Sequence, residues 1–143
     1  ETLLARKAGE TQQAIRQELR DVMMDNVGVV RNATTLSTAL DKVVELTQRI
    51  ATVQLMDHSR TFNTELMEVI ELGFLLDCAE ATVIGALARK ESRGAHYRDD
   101  FQARDDVNFL AHTLAYRGDT PGKADLRYKP VVITEFQPKE RKY

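Results

Sequence analysis

The apolar pattern between positions 64 and 94 constrains the fold of this chain more than any other feature. Its apolar residues recur every three or four positions, the spacing that places side chains on one face of an α-helix. The stripe consists of Leu66, Val69, Ile70, Leu76, Val83 and Leu87. A second apolar set widens the stripe around the helix: Leu72, Leu75, Cys78 and Ala79. We therefore expect a long helix that is covered on several sides.

Residues suited to helix ends flank this pattern. Asn63 or Thr64 is expected to cap the helix start, because short polar side chains accept hydrogen bonds from free N–H groups there. The cations Arg89 and Arg93 suit the negative end of the helix dipole. Gly94 suits a left-handed exit. The sequence thus predicts a helix that extends to Gly94.

Two glycines inside the predicted helix indicate close packing. Gly73 and Gly85 each lower helix propensity by about 1 kcal/mol relative to alanine. Such a cost is tolerable where a neighbouring backbone approaches closely. The sequence is thus compatible with a close neighbouring backbone at these positions.

Two shorter helical patterns precede the long one. The first follows Thr11, weakens at residues 26–28, and contains Ile15, Leu19, Val22 and Met23. The second follows the capping residues 32–35 and contains Leu36, Leu40, Val43, Leu46, Ile50 and Val53. Short connections favour neighbouring helices that run in opposite directions. We therefore predict an all-α fold, an antiparallel three-helix bundle resembling a spectrin repeat, over residues 1–94.

The helical pattern of apolar residues ends after Gly94. Residues 95–108 are polar and loop-like, and turn residues between positions 118 and 123 separate two short alternating segments. These segments contain His112, Leu114 and Tyr116, then Leu126, Tyr128 and Val131. We predict a small β-hairpin and an extended tail over residues 95–143, so that residues 1–143 form a single domain.

Composition excludes several classes of protein. Charged residues interrupt every apolar stretch well before the roughly 18 residues that a membrane span needs, so we expect no direct membrane insertion. The formal net charge is −2 and there is no Trp, which disfavours a nucleic-acid partner. A single cysteine, Cys78, forms no internal disulfide and fits a reducing, cytoplasmic compartment. The chain begins at Glu1 rather than Met, which we interpret as a hint that it is a fragment.

Charged residues are densest between positions 88 and 106, and we weighed them as a site. An Arg-His cluster could clamp a dicarboxylate or a phosphate, because guanidinium groups donate two parallel hydrogen bonds. Cations at a helix end and Arg-carboxylate pairs that hold loops are more common, so we favour a structural role. The three histidines show no paired spacing with each other or with Cys78, and no nucleophile has an adjacent base. We expect no catalytic, cofactor-binding or metal-binding residue.

Several motifs occur in a fixed order along nearly the whole chain. The strongest are Arg89-Lys-Glu-Ser-Arg-Gly-Ala-His96, Arg98, Asp100, Arg104-Asp-Asp106 and Asn108-Phe-Leu-Ala-His-Thr-Leu114. Others are Met24-Asp-Asn-Val-Gly28, Arg31, Phe62-Asn-Thr64, Tyr128-Lys-Pro-Val131 and Arg141-Lys-Tyr143. Together these motifs resemble the C-terminal region of succinate dehydrogenase and fumarate reductase flavoprotein subunits.

The resemblance implies an oxidoreductase that interconverts succinate and fumarate on covalently bound FAD and passes electrons to an iron-sulfur subunit. In that family the FAD-binding and capping domains precede this helical domain, so FAD and catalytic residues are expected in the parent flavoprotein and not in this chain. The parent complex is expected to be peripheral on the inner face of the membrane. We assign six residues to docking against the missing domains: Arg89, Glu91, Ser92, Arg93, His96 and Arg98.

Two alternatives stay open on the sequence. One is the equivalent domain of an L-aspartate oxidase, because those flavoproteins share a similar Glu-Ser-Arg-Gly core. The other is a free-standing helical interaction module whose Arg-rich loop binds an acidic partner. Upstream sequence would discriminate among the three, since a flavoprotein needs a glycine-rich strand-turn-helix motif there.

Overall fold

Three helices dominate a computed structural model that describes residues 3–139. The helices are α1 (Gln12–Asn26), α2 (Ala33–Arg49) and α3 (Thr64–Ala88). The strands are β1 (Val30–Arg31), β2 (Tyr97–Arg98), β3 (Ala111–Tyr116) and β4 (Asp125–Pro130). A single 3₁₀ turn, Ile50–Thr52, extends α2 directly. The predicted helical character and small strand content are therefore confirmed.

Side chains cap the two longer helices as the sequence predicts. Asn32 Oδ1 accepts from the Thr35 backbone N–H at 2.9 Å, and Thr35 Oγ1 accepts in return from the Asn32 N–H at 3.2 Å. This reciprocal pair satisfies two backbone donors at the start of α2. Asn63 Oδ1 accepts from the Leu66 N–H at 2.8 Å and caps α3.

The core lies where the three helices meet, and each helix contacts the other two. The apolar residues at the centre are fully buried: Ile15, Leu36, Ala39, Val43, Leu46, Leu72 and Val83. Residues beyond the ends of the helices complete the core, with Val27, Val53 and Leu55 almost fully buried. No helix within residues 3–139 is long and apolar enough to cross a membrane.

The long helix ends earlier than predicted. α3 stops at Ala88, and Arg89 is already extended with φ −83° and ψ 97°. The prediction of a helix to Gly94 was wrong because Arg89 and Arg93 bond Glu91 instead of the last turn of the helix. Gly94 does adopt a left-handed φ of 60°, but in the tight turn where Arg93 pairs with His96. The third helix of the segment predicted over residues 1–94 thus ends at Ala88.

The described residues bring no backbone close to either helix glycine. A Cβ added at Gly73 would lie 3.8 Å from Ile50 Cδ1, which is ordinary contact, and one at Gly85 would meet nothing within 4 Å. Packing among the described residues therefore does not require glycine at either position.

Two small sheets accompany the helices. Strands β3 and β4 pair antiparallel, with Thr113 opposite Tyr128, and confirm the predicted hairpin. The parallel pair β1 and β2 aligns Arg31 with Arg98 and was not predicted, because two-residue strands leave no periodic signal. Residues 131–139 follow without regular structure, as expected for a tail. The predicted ending at Arg141–Tyr143 lies outside the described residues.

Two leucines on α3 test which face of the helix forms the core. Leu72 is fully buried, whereas Leu75 is 43% exposed. Leu72→Ala should lower the free energy of unfolding by about 2–5 kcal/mol, because it removes buried methyl groups and leaves a cavity. Leu75→Ala, the matched control, should cost under about 1 kcal/mol. Urea denaturation of both variants measures this, and equal losses would contradict the packing of Leu72 in the core.

Candidate docking site

The predicted docking residues converge where α3 ends, beside the start of α2. We define the arginine network as Arg89, Glu91, Arg93 and Arg98 together with the acidic partners Asp100 and Asp106. The residues of the network after Arg89 lie on the connection from α3 to β3, so side-chain bonds rather than a helix or sheet ladder fix most of its shape.

Glu91 is the centre of the network. Its side chain is fully buried and accepts from Arg89 Nη1 at 2.6 Å, Arg93 Nε at 2.8 Å and the Asp105 backbone N–H at 2.8 Å. Burial alone would raise the pKa of this carboxyl, but the hydrogen bonds from Arg93, the Asp105 backbone and Arg89 outweigh burial and lower it. Glu91 is therefore ionised and compensated within the chain.

Arg89 ties the hairpin to the end of α3. Its Nη1 donates to the Phe109 carbonyl at 2.9 Å, and its Nη2 donates to the Ala111 carbonyl at 2.7 Å and to Thr113 Oγ1 at 3.0 Å. The guanidinium carbon also lies 5.6 Å from the centre of the Phe109 ring. Because Ala111 and Thr113 belong to β3, this one side chain sets where the hairpin begins.

Arg98 is 1% exposed and caps the last turn of α3. Its Nη1 donates to the carbonyls of Ala86 at 2.9 Å and Leu87 at 3.2 Å. These carbonyls have no partner within the helix, and a cation suits the negative end of the helix dipole. Arg98 thus takes the place that the sequence suggested for Arg89 and Arg93.

Asp100 extends this cap to a second helix. It accepts two parallel bonds from Arg98, each 2.7 Å long, and a third from the Ala33 backbone N–H at 3.0 Å. The Arg98 bond, aided by that N–H, lowers the pKa of Asp100 to about 2. A carboxylate suits the positive start of α2. One ion pair therefore joins the end of α3 to the start of α2.

His96 is held as a neutral imidazole. Its Nε2 lies 3.1 Å from the Arg89 carbonyl, and its Nδ1 lies 3.1 Å from Arg31 Nη1. A carbonyl only accepts and a guanidinium only donates, so Nε2 carries the proton and Nδ1 accepts. Burial, together with the positive charges of Arg31, Arg98 and Arg89, lowers the pKa of His96 despite the bond to the Arg89 carbonyl.

Ser92 fastens the loop that carries these groups. Its hydroxyl oxygen accepts from the Arg98 backbone N–H at 2.8 Å and lies 2.9 Å from the Phe101 carbonyl. The Phe101 ring centre in turn lies 5.0 Å from the Arg98 guanidinium carbon. Ser92 thus links β2 to the following turn through hydrogen bonds.

The structure brings all six predicted docking residues together, but it places them differently. Glu91 and Arg98 are buried inside the chain, whereas Arg89, Ser92, Arg93 and His96 are partly exposed. An open cleft of about 500 Å³ lies beside Arg89, Arg93 and His96. Because both arginines already pair with carboxylates, the arrangement favours the structural role over an anion clamp.

Sequence reasoning missed two partners of this site as contacts. Arg31 lies 65 residues before His96, and Asp100 bonds Ala33 across 67 residues. No local spacing signals such pairs, although Arg31 and Asp100 both lie in the motifs that carried the family resemblance. Among residues 3–139, no group of three His, Cys, Asp or Glu side chains is placed to hold a metal ion.

Comparison with known proteins decides the family. Residues 16–143 match the family model described as fumarate reductase flavoprotein C-term. This chain belongs to the fumarate reductase flavoprotein C-terminal family. This match favours the fumarate reductase and succinate dehydrogenase flavoproteins over an L-aspartate oxidase or a free-standing module.

Curated relatives match this chain along nearly all of its length. The fumarate reductase flavoprotein subunit of Haemophilus influenzae is 41% identical over 143 residues, 100% of this chain and 24% of that protein. The 8-methylmenaquinol:fumarate reductase flavoprotein subunit of Wolinella succinogenes is 45% identical over 130 residues, 91% of this chain and 21% of that protein. The chain therefore spans about a quarter of the length of these relatives.

The fold of the flavoprotein C-terminal domain is also found in a solved structure. A mutant quinol fumarate reductase of E. coli superimposes with a TM-score of 0.89 and 41% identity, covering 96% of this chain and 24% of that one. The arrangement of the three helices and the hairpin is thus similar to that in a known quinol fumarate reductase.

Two arginines with neighbouring aspartates test the role of the buried cap. Arg98→Ala should lower the free energy of unfolding by about 3 kcal/mol or more, since it removes the donor to the α3 carbonyls and leaves Asp100 with only its bond from the Ala33 N–H. Arg127, whose pair with Asp125 is mostly exposed, is the matched control, and Arg127→Ala should cost under about 1 kcal/mol. Urea denaturation decides, and similar losses would contradict the structural role of Arg98.

The neutral state of His96 makes stability depend on pH. Its folded pKa is lowered, so the unfolded chain takes up a proton first as the pH falls through the ordinary value of about 6.5. The contribution of neutral His96 to the free energy of unfolding should therefore be fully present above that pH and decline between pH 6.5 and 5. Urea denaturation at pH 7, 6 and 5 checks this. His96→Asn should flatten the slope, and an unchanged slope would contradict the assignment.

Proposed function

We propose that this chain is the helical docking domain of a flavoprotein that interconverts succinate and fumarate on FAD. The observation that supports this role is the arginine network, in which Glu91 and Arg98 are buried and satisfied within the chain. Groups committed to internal bonds hold the adjoining surface rigid, and structural ion-pair networks of this kind are the usual alternative to an active site. The domain would then fix the spatial relation of the other parts of the enzyme.

We further propose the antiparallel, spectrin-like order of the three helices. Arg49, the last residue of α2, bonds Glu10 at 2.7 Å and Glu18 at 2.6 Å near the start of α1, as expected for antiparallel neighbours. Arg16 Nη2 donates to the Glu68 carbonyl at 3.1 Å, which sets the first turns of α1 and α3 side by side. Both contacts support an up-down-up bundle.

FAD is assigned to the remainder of the polypeptide rather than to this chain. The cleft beside Arg89 and Arg93 adjoins cationic side chains, but their guanidinium groups bond Glu91, Asp106 and backbone carbonyls. A flavin pyrophosphate needs free donors, so this cleft does not fit the cofactor. The flavin would supply the electron transfer from a site formed by the FAD-binding and capping domains.

The docking surface of the arginine network is the partly exposed side of the loop. Arg89, Ser92, Arg93 and His96 would contact the FAD-binding and capping domains of the same polypeptide, while Glu91 and Arg98 hold them in place. The neutral imidazole of His96 and the compensated arginines offer hydrogen bonds with little excess charge, which suits a tight interface between domains.

The partners of the whole protein follow from the same reading. We propose an iron-sulfur subunit as the electron acceptor and a complex that is peripheral on the inner, cytoplasmic face of the membrane. One relative of known structure is a quinol-fumarate reductase with menaquinol molecules, which is consistent with electron exchange between such a complex and a quinone pool. This domain would contribute geometry rather than a membrane segment.

A comparison of this chain with the full-length gene product tests the proposed function. We expect only the longer protein to retain flavin absorbance and to reduce a dye when succinate is added, because the groups that bind both lie outside residues 1–143. Flavin and succinate titrations of the two proteins, side by side, measure this. Flavin or succinate binding by the 143-residue chain alone would show that the Arg-His cluster is a ligand site.

A further inference from the structure

Residues 3–139 bury one face of α3 and approach its other side mainly beside Asp77 and Cys78, where hairpin residues 115–124 line a shared cleft. The expectation of a helix covered on several sides was therefore only partly right, because α3 keeps a second, largely exposed apolar face. Its buried face contains Val69, Leu72, Leu76, Ala79, Val83 and Ala86. The opposite side, which we call the outer face of α3, contains Met67, Ile70, Phe74, Cys78 and Gly85 at helical spacing. Met67 is 56% exposed and Phe74 is 64% exposed. A continuous apolar stripe of this kind marks an interaction surface.

Gly85 extends the outer face, and packing within the chain does not explain why this position is a glycine. A Cβ at this position would meet nothing within 4 Å, and yet glycine costs about 1 kcal/mol of helix propensity relative to alanine. A helix position without a side chain lets another backbone approach closely. From Met67 to Gly85 the outer face is about 27 Å long, enough to receive a helix or several strands.

The loop before α3 adds an aromatic side chain at one end of this face. Phe62 has a φ of 51°, which is strained for a bulky residue, and is 97% exposed. An apolar residue just before the helix cap commonly packs on the residue five places later, here Met67. Phe62 does not make this contact and is exposed to solvent. Asn63 Nδ2 donates to the carbonyls of Asp57 at 2.8 Å and Ser59 at 2.9 Å, so the loop is fixed in this shape.

The charge of α3 indicates what covers the outer face. Thr64–Ala88 contains five acidic residues and no basic residue. Glu71 flanks the apolar stripe on one side, and Asp77 flanks it on the other, where it already pairs with Arg117 at 3.2 Å. Two copies of this face would bring carboxylates against carboxylates, which disfavours a homodimer. The complementary surface is therefore apolar with Lys or Arg at its edges.

We infer that the outer face of α3 docks onto an apolar, basic-edged surface in the remaining part of the flavoprotein polypeptide. About three-quarters of the length of the related flavoproteins lies outside the region that this chain matches, which leaves ample chain in the same molecule to form such a surface. The inference rests on the proposed function. It adds a second contact, along the side of α3, to the one at the arginine network.

Cys78 reports directly on this contact because it is the one cysteine of the chain and lies exposed on the outer face. Its rate of reaction with a thiol reagent is measured in this chain and in the full-length gene product, with the Cys78 peptide identified by mass spectrometry. The ratio of the two rates defines the protection of Cys78. We expect protection of about tenfold or more, since docking must open before the thiol reacts. Equal rates would overturn the inference.

Charge reversal on α3 separates specific docking from simple crowding. Glu71→Lys should reduce the protection of Cys78 severalfold in the full-length protein, because it places a cation against a basic edge. Asp41→Lys, an exposed acidic position on α2, is the matched control and should leave protection unchanged. Each rate is normalised to the same variant of the 143-residue chain, which cancels local effects on the thiol. Equal protection in both variants would contradict a basic-edged partner.

Two further readouts keep the proposals distinguishable. If the full-length protein holds flavin but Cys78 is unprotected, the docking face is wrong while the proposed function stands. If it holds no flavin, the proposed function fails, and the protection of Cys78 still decides the docking face. Sedimentation of the 143-residue chain should give a monomer at every concentration, and a dimer that protects Cys78 would assign the face to a second copy instead.

Discussion

The buried guanidinium of Arg98 is the interaction on which the rest of this domain depends. A charge with 1% exposure is costly to desolvate unless every donor finds an acceptor. Arg98 meets that requirement by bonding the final carbonyls of α3 on one side and Asp100 on the other, and Asp100 passes the contact to the start of α2. Two helix ends of opposite dipole sign are thereby joined through one side chain.

The loop and the hairpin take their positions from this junction. Once Arg98 ends α3 at Ala88, Arg89 is free to turn away from the helix and bond β3, and Glu91 neutralises it together with Arg93. The result is a rigid connection with little regular secondary structure. In the proposed docking role, the partly exposed loop and the outer face of α3 are the two surfaces that would contact other parts of the protein.

The sequence predicted the helices well, because capping residues and apolar spacing are local signals. Asn32 and Asn63 cap the helices where expected, and the buried side chains of α2 follow the predicted stripe. On α3 the stripe is only partly right, because Ile70, expected within it, is 41% exposed. The end of α3 could not be predicted, since Arg89 and Arg93 look equally suited to the helix dipole and only the fold shows that Arg98 takes that role. The motif around Arg89 identified the family and the location of the site. The partners Arg31 and Ala33 lie more than 60 residues away, and no spacing rule connects them.

A double-mutant cycle between Arg98 and Asp100 is the most direct test of the central role of this ion pair. Arg98→Met, Asp100→Asn and the double variant would be compared with the unmodified chain by urea denaturation at neutral pH. We predict that the two losses are strongly non-additive, with a coupling energy of about 1.5 kcal/mol or more. The reason is that either substitution alone already removes the paired bonds between Arg98 and Asp100. Additive losses would show that the two helix ends are held independently, and would contradict the central role of the Arg98–Asp100 pair.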